Sequence, residues 1–211
     1  MRQIVDLRKQ KPELKVLLSI GGWGSGRFSE MAANDEYRRA FAADCDRVVK
    51  EFALDGIDID WEYPTSSMAN ISSSPDDTEN FTLLMQDIRA AIGNEKELTL
   101  ATVASARYID FKAILPSVDF VNIMAYDMAS APKHHSALYP SGHSGDITSD
   151  GAVTAHLKAG VPPSKLVMGM PFYGRGGDGY PSFQDYNKVG NTDTQYTEKW
   201  DEVCLLYTSP S

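Results

Sequence analysis

The segment DGIDIDWEYP, residues 55–64, decides the fold that this sequence predicts. Acidic and apolar residues alternate in it, and a β-strand projects successive side chains to opposite faces. One face of the predicted strand therefore carries three acids: Asp58, Asp60 and Glu62. Burying three carboxyl groups without partners costs on the order of several kcal/mol. We therefore expect these acids to take part in chemistry.

Four other short apolar runs resemble buried strands, so that predicted strands cover residues 15–20, 56–61, 98–103, 120–125 and 166–170. Apolar residues spaced three and four apart predict intervening helices over residues 34–52, 76–92, 111–115 and 150–159. Apolar strands that alternate with helices are typical of an α/β fold with a parallel sheet, either open and doubly wound or closed into a barrel. In both cases the active site lies at the carboxyl ends of the strands.

The composition limits the classes of partner. The chain has 211 residues and a formal net charge of -9, which disfavours nucleic acid and anionic membrane surfaces as partners. A neutral or cationic substrate fits better. The two cysteines are too few for a disulfide framework or a structural zinc site, and Cys45 falls on an apolar helical stripe that we expect to be buried.

Crowding has a direct consequence for the three acids, because neighbouring carboxyl groups cannot all ionise. The pKa of at least one of them should rise towards neutrality. Glu62, nearest the carboxyl end of the strand, is the best placed proton donor. Two alternatives are a divalent metal site and a structural acidic network. No histidine lies near these acids in sequence, and His134 and His135 belong to a separate polar loop in which we expect solvated rings. We expect neither a metal nor a cofactor.

Four segments carry a family resemblance. Asp55, Asp58, Asp60 and Glu62 match the DxxDxDxE signature of glycoside hydrolase family 18, the chitinases and their relatives. The segments SIGGW at 19–23, MAYD at 124–127 and GMPFYGR at 169–175 resemble three further signatures of that family, in the same order. The resemblance covers about residues 5 to 180 and implies an incomplete (β/α)8 TIM barrel, with the five strands here as its third to seventh.

The resemblance also implies a mechanism in which the substrate supplies the nucleophile. The 2-acetamido oxygen attacks the anomeric carbon while Glu62 protonates the leaving oxygen, and Glu62 then acts as the base towards water. Asp60 orients the acetamide, Asp58 shares a proton with Asp60, and Tyr126 hydrogen-bonds the acetamide.

Other matched positions are expected to bind the sugar or to support the acids. The substrate-binding positions are Trp23, Met124, Asp127, Tyr173 and Arg175, and the supporting positions are Asp55 and Ser19. For Trp23 and Tyr173 the alternative is core packing, and for Arg175 it is a structural ion pair.

The implied activity is hydrolysis of β-1,4-linked N-acetylglucosamine polymers such as chitin, with retention of configuration. Two alternatives are an endo-β-N-acetylglucosaminidase that acts on N-glycans and a catalytically silent chitin-binding lectin. The retained Glu62 favours an enzyme. A substrate of this kind implies a secreted, periplasmic or cell-surface protein.

The resemblance predicts three parts along the chain. Residues 1–175 are expected to form a partial catalytic domain, and residues 176–203 a loop or the start of an inserted subdomain. The segment CLLYTSPS at 204–211 resembles translated adapter sequence, which predicts a non-native tail. Because the first, second and eighth strands of the family barrel have no counterpart here, we expect the activity of a longer protein.

Overall fold

The computed structural model describes residues 1–130 and 133–171, so Tyr173, Arg175 and the segments 176–203 and 204–211 lie outside the described residues. The strands are β1 (Leu17–Gly21), β2 (Gly56–Asp60), β3 (Glu97–Val103), β4 (Phe120–Met124) and β5 (Leu166–Met168). The α-helices are α1 (Arg2–Val5), α2 (Phe28–Ala33), α3 (Asp35–Phe52), α4 (Asp77–Ile92), α5 (Phe111–Ile114) and α6 (Ser149–Lys158). Two short 3-10 helices cover Asp6–Lys9 and Pro163–Lys165.

The five strands form one sheet in chain order, β1-β2-β3-β4-β5. β1 and β2 are parallel, with Ser19 opposite Asp58 and Gly21 opposite Asp60. β2 and β3 are also parallel, with Asp58 opposite Thr99. The predicted strand positions and the alternation with helices are confirmed. α2 is a helix in a stretch where the sequence suggested only a loop.

The described chain divides into two compact units. The first unit comprises Met1–Thr102, Arg107–Val121 and Gly160–Lys165. The second comprises Val103–Ala106, Asn122–Ala159 and, at the end of the described residues, 166–171. No helix within the described residues is long and apolar enough to cross a membrane.

The first unit buries the apolar face of β2. Ile57 and Ile59 are completely buried. The Trp61 ring, which follows the strand, stacks on Phe28 of α2 at 5.4 Å between ring centroids and meets the edge of Phe81 of α4 at 5.5 Å. Large buried rings contribute much of the hydrophobic stabilisation of a core. Because these apolar side chains fill the core side of the strand, the acids lie on its opposite face.

Two residues show how local sequence defines α3. The predicted N-cap Asn34 accepts a hydrogen bond at Oδ1 from the Tyr37 amide at 3.0 Å, which satisfies a donor of the first turn. Cys45 on the buried stripe is in the core, as expected, and burial raises the pKa of its thiol to about 12.

The second unit has its own small apolar cluster, in which Ala152 of α6 packs with Ile123 of β4. Gly169, just after β5, donates its amide to the Ile123 carbonyl at 2.8 Å. A Cβ at this glycine would lie 2.7 Å from that carbonyl oxygen and 2.9 Å from the Tyr126 ring. Only glycine therefore allows the ring to lie this close to the backbone.

A buried carboxylate fixes the polar loop between β2 and α4. Asp77 is 0% exposed, and it accepts hydrogen bonds from the Ser29 hydroxyl at 2.7 Å, the Ser74 amide at 2.7 Å and the Thr65 amide at 3.1 Å. These contacts tie the chain that leaves Glu62 to α2 and to the first turn of α4.

We expect Asp77→Ala to lower the free energy of unfolding by about 3 kcal/mol, because it leaves buried donors without an acceptor. The matched control is Asp76→Ala, since Asp76 is exposed and its side chain makes no capping hydrogen bond. We expect that control to cost less than about 0.5 kcal/mol. Urea unfolding followed by tryptophan fluorescence measures both, and equal losses would contradict the structural role of Asp77.

Candidate active site

The structure brings the three predicted acids together at the carboxyl end of β2. Asp58 and Asp60 lie in the strand, and Glu62 follows its end by two residues. The peptide bond between Glu62 and Tyr63 is cis. Both Asp58 and Glu62 lie close enough to Asp60 for their charges to act on its carboxyl group.

Asp58 is held by a hydroxyl from each neighbouring strand. Ser19 of β1 donates to Asp58 Oδ2 at 2.7 Å, and Thr99 of β3 donates to Asp58 Oδ1 at 2.6 Å. Each of the two carboxylate oxygens therefore has its own donor. The sequence predicted Ser19 as a supporting residue but missed Thr99. The available signal was a polar residue inside the otherwise apolar run LTLATV.

Asp60 has the perturbed acidity that crowding predicts. Burial raises the pKa of Asp60 to about 7, and the charges of Glu62 and Asp58 add to that effect. Its Oδ1 is buried, and no polar group of the described residues donates a hydrogen bond to it. Asp60 thus exchanges its proton close to neutral pH. The prediction that at least one acid has a raised pKa is confirmed, while the assignment of Glu62 as proton donor stays a prediction.

Asp55, the first residue of the signature, lies at the opposite end of the strand. The Arg8 guanidinium and the Val16 amide donate to its carboxylate, and its own amide donates to the Val16 carbonyl at 2.8 Å. At about 3.3 Å per residue, the Asp55 and Asp60 backbones are roughly 16 Å apart. The support implied for Asp55 therefore acts by anchoring the amino-terminal end of β2.

Three aromatic rings of the first unit, Trp23, Tyr63 and Tyr108, pack in a row that includes the residue after Glu62. Trp23 is 61% exposed, which rules out core packing for this residue. Its ring meets Tyr63 edge-to-face at 6.4 Å, and Tyr63 stacks on Tyr108 at 5.4 Å. The Arg107 guanidinium lies 5.6 Å from the Tyr108 ring centroid. The role of Trp23 in sugar stacking stays a prediction, and the sequence did not single out Tyr108.

In the second unit, Met124 ends β4, and Tyr126 and Asp127 follow it. The Asp127 amide donates to Nδ1 of His135 at 3.1 Å. His135 is 1% exposed and His134 is also buried, so the expectation of solvated rings was wrong. Sequence reasoning missed the burial because a polar loop can fold back onto the strand that precedes it.

No group of three or more histidine, cysteine, aspartate or glutamate side chains in residues 1–130 and 133–171 has an arrangement that could hold a metal ion.

The family model for glycosyl hydrolases family 18 matches residues 1–207. The chain belongs to glycoside hydrolase family 18. It is 38% identical to Chitinase A1 from Niallia circulans over 208 residues, an alignment that covers 85% of this chain and 29% of that protein. The chain therefore spans well under half the length of this family 18 relative.

Solved family 18 structures share the fold. The chitinase domain of the spore coat protein CotE from Clostridium difficile matches with a TM-score of 0.79 and 41% identity, over 82% of this chain and 54% of that one. A family 18 N-acetylglucosaminidase from Paenibacillus barengoltzii matches with a TM-score of 0.77 and 39% identity, over 82% and 55%. The five strands are thus part of a (β/α)8 barrel, as the sequence predicted.

The two hydroxyl donors of Asp58 give a matched test of its anchoring. Thr99 is almost completely buried, whereas Ser19 is exposed, so water can replace the Ser19 hydroxyl but not that of Thr99. We expect Thr99→Val to lower the free energy of unfolding by about 1–3 kcal/mol and Ser19→Ala by less than about 0.5 kcal/mol. Urea unfolding measures both values, and a Thr99→Val loss no larger than that of Ser19→Ala would contradict the anchoring by Thr99.

Proposed function

We propose that the protein to which this chain belongs hydrolyses β-1,4-linked N-acetylglucosamine polymers such as chitin, with Glu62 as the general acid and base. The observation that carries this proposal is the raised pKa of Asp60, about 7, in a carboxyl group that lies close to Asp58 and Glu62. A carboxyl group that exchanges its proton near neutral pH, next to a second acid, suits glycosidic bond cleavage.

In the proposed first step, the 2-acetamido oxygen of the substrate bonds to the anomeric carbon as the bond from that carbon to the leaving oxygen breaks. The Glu62 carboxyl proton passes to the leaving oxygen. The product is an oxazolinium ion on the substrate, and Glu62 is left ionised. Water then bonds to the anomeric carbon, loses a proton to Glu62 and reopens the ring, which gives net retention.

In this proposal, Asp60 stabilises the positive charge that develops on the substrate. As the oxazolinium forms, positive charge develops on the acetamide nitrogen. An ionised Asp60 accepts a hydrogen bond from the N–H of that nitrogen and balances its charge. With its pKa near 7, Asp60 can hold a proton before the reaction and pass it to Asp58 as the charge appears. Asp58, whose oxygens accept from Ser19 and Thr99, is the fixed partner with which Asp60 shares the proton.

The remaining sugar-binding roles are proposed on the family motif. Tyr126 would hydrogen-bond the acetamide, Met124 and Asp127 would line the sugar site, and Trp23 would stack on a sugar ring. For Trp23, its exposed ring supports this role. Tyr173 and Arg175 are proposed on the sequence match alone, because they lie outside the described residues.

The alternatives differ in substrate and in chemistry. One similar structure is named an N-acetylglucosaminidase, and others are named chitinases, so the size of the released product is open to experiment. A silent lectin is disfavoured because Asp58, Asp60 and Glu62 are all present. A polymeric or cell-wall substrate lies outside the cell, so we propose that the intact protein is exported. The acidic net charge of -9 agrees with a partner that is neither nucleic acid nor an anionic membrane.

We expect Glu62→Gln in the intact protein to lower kcat on a chito-oligosaccharide by at least about 10³-fold, because the amide cannot donate a proton to the leaving oxygen. Binding of the same oligosaccharide should change little. Reducing-end release and calorimetric titration measure the two quantities.

Undiminished turnover by Glu62→Gln would refute the assignment of the acid. The substrate class is tested on the parent protein, which should cleave the chito-oligosaccharide and leave a high-mannose glycopeptide intact. Cleavage of the glycopeptide alone would favour the N-glycan alternative, and binding of chito-oligosaccharide without turnover by the parent would favour the lectin.

A further inference from the structure

Two adjacent residues of the loop after β4 hold the turn that carries Asp127. The Ser136 hydroxyl donates to the Ala125 carbonyl at 2.9 Å. The Asp127 amide donates to Nδ1 of His135 at 3.1 Å, and the Met128 amide donates to the His135 carbonyl at 2.9 Å. Three hydrogen bonds therefore fix the backbone from residue 125 to residue 128. All of these residues belong to the second unit.

The His135 ring makes a contact with Asp127 that few other side chains could make. Because Nδ1 accepts the amide hydrogen, this nitrogen carries no proton. The ring is 1% exposed, so water cannot take over as acceptor. A buried amide that loses its acceptor costs about 1–3 kcal/mol.

The backbone of Asp127 needs this support. Its φ angle is 55°, in the left-handed region that non-glycine residues adopt at a cost of about 1–2 kcal/mol. The hydrogen bond from its amide to His135 helps to hold that conformation. The Asp127 Oδ1 lies 3.4 Å from Nδ1, and because both atoms are hydrogen-bond acceptors here, the ring holds Asp127 through the amide and not through the carboxylate. The histidine thus fixes the backbone conformation from which the Asp127 side chain projects.

We propose that His135 is a positioning residue that orients Asp127 for sugar binding. This inference rests on the proposed function, in which Asp127 lines the sugar site. His135 itself touches no sugar in this proposal. It acts on affinity by holding the Asp127 backbone in the conformation that directs the carboxylate towards a sugar hydroxyl, so that little conformational entropy is lost on binding.

The test uses the intact protein with Glu62→Gln, so that oligosaccharide binding is measured without turnover. His135→Phe fills a similar volume but lacks an acceptor, whereas His135→Asn offers a carbonyl oxygen close to the Nδ1 position. We expect His135→Phe to weaken binding of a chito-oligosaccharide about tenfold, the equivalent of one lost hydrogen bond. His135→Asn should weaken it less than about threefold.

A double-mutant cycle separates positioning from a general structural effect. If His135 acts through Asp127, His135→Phe should have almost no further effect on affinity once Asp127→Ala is present. Full additivity of the two losses would overturn the proposal. Unchanged affinity in His135→Phe alone, with weakened binding in Asp127→Ala, would also overturn it and leave the proposed function intact.

Two further outcomes are informative. Affinity that is unchanged in Asp127→Ala would refute the sugar-binding role of Asp127 and, with it, the role of His135. If His135→Phe shows no cooperative melt, His135→Gln replaces it, because its carbonyl oxygen falls near the Nε2 position and leaves the Asp127 amide without an acceptor. Equal affinities of His135→Gln and His135→Asn would then overturn the proposal.

Discussion

The rest of the structure depends on one constraint at β2: the carboxyl groups on one face of this strand lie close together, and burial disfavours their charged forms. The opposite face is committed to the core by Ile57, Ile59 and Trp61, so the acids cannot turn away from one another. This constraint is met differently at each acid. Asp58 accepts a hydrogen bond from a hydroxyl on each neighbouring strand, whereas the pKa of Asp60 is raised to about 7. Burial is the larger cause of that raised pKa, and the neighbouring charges of Glu62 and Asp58 add to it.

The sequence predicted what depends on local periodicity. Alternation placed the acids on one face, and apolar spacing located the strands, the helix from Asn34 and the buried Cys45. The features that it missed depend on contacts between segments far apart in the chain. Thr99 reaches Asp58 because of the register between β2 and β3, which no local pattern encodes. The burial of His135 depends on a loop that folds back onto the end of β4.

The residues of the family signature differ in role according to the end of β2 at which they lie. Asp55 anchors the amino-terminal end of β2 through Arg8 and Val16, while the later acids lie where parallel strands present their carboxyl ends. Beyond Glu62, Asp77 fixes the outgoing loop. Much of this polar construction thus holds β2 at both ends, and the proposed chemistry is left to a few side chains at its carboxyl end.

The most direct test of this account is a titration of the aspartate carboxyl carbons by NMR in the intact protein labelled with ¹³C-aspartate. We expect one aspartate to titrate with a pKa of about 7 and its signal to be absent from Asp60→Asn. The remaining resonances serve as internal controls. If the Asp60 carboxyl completes its titration below about pH 5, in the range of an ordinary aspartate, the central claim that crowding and burial hold a proton at this acid is wrong.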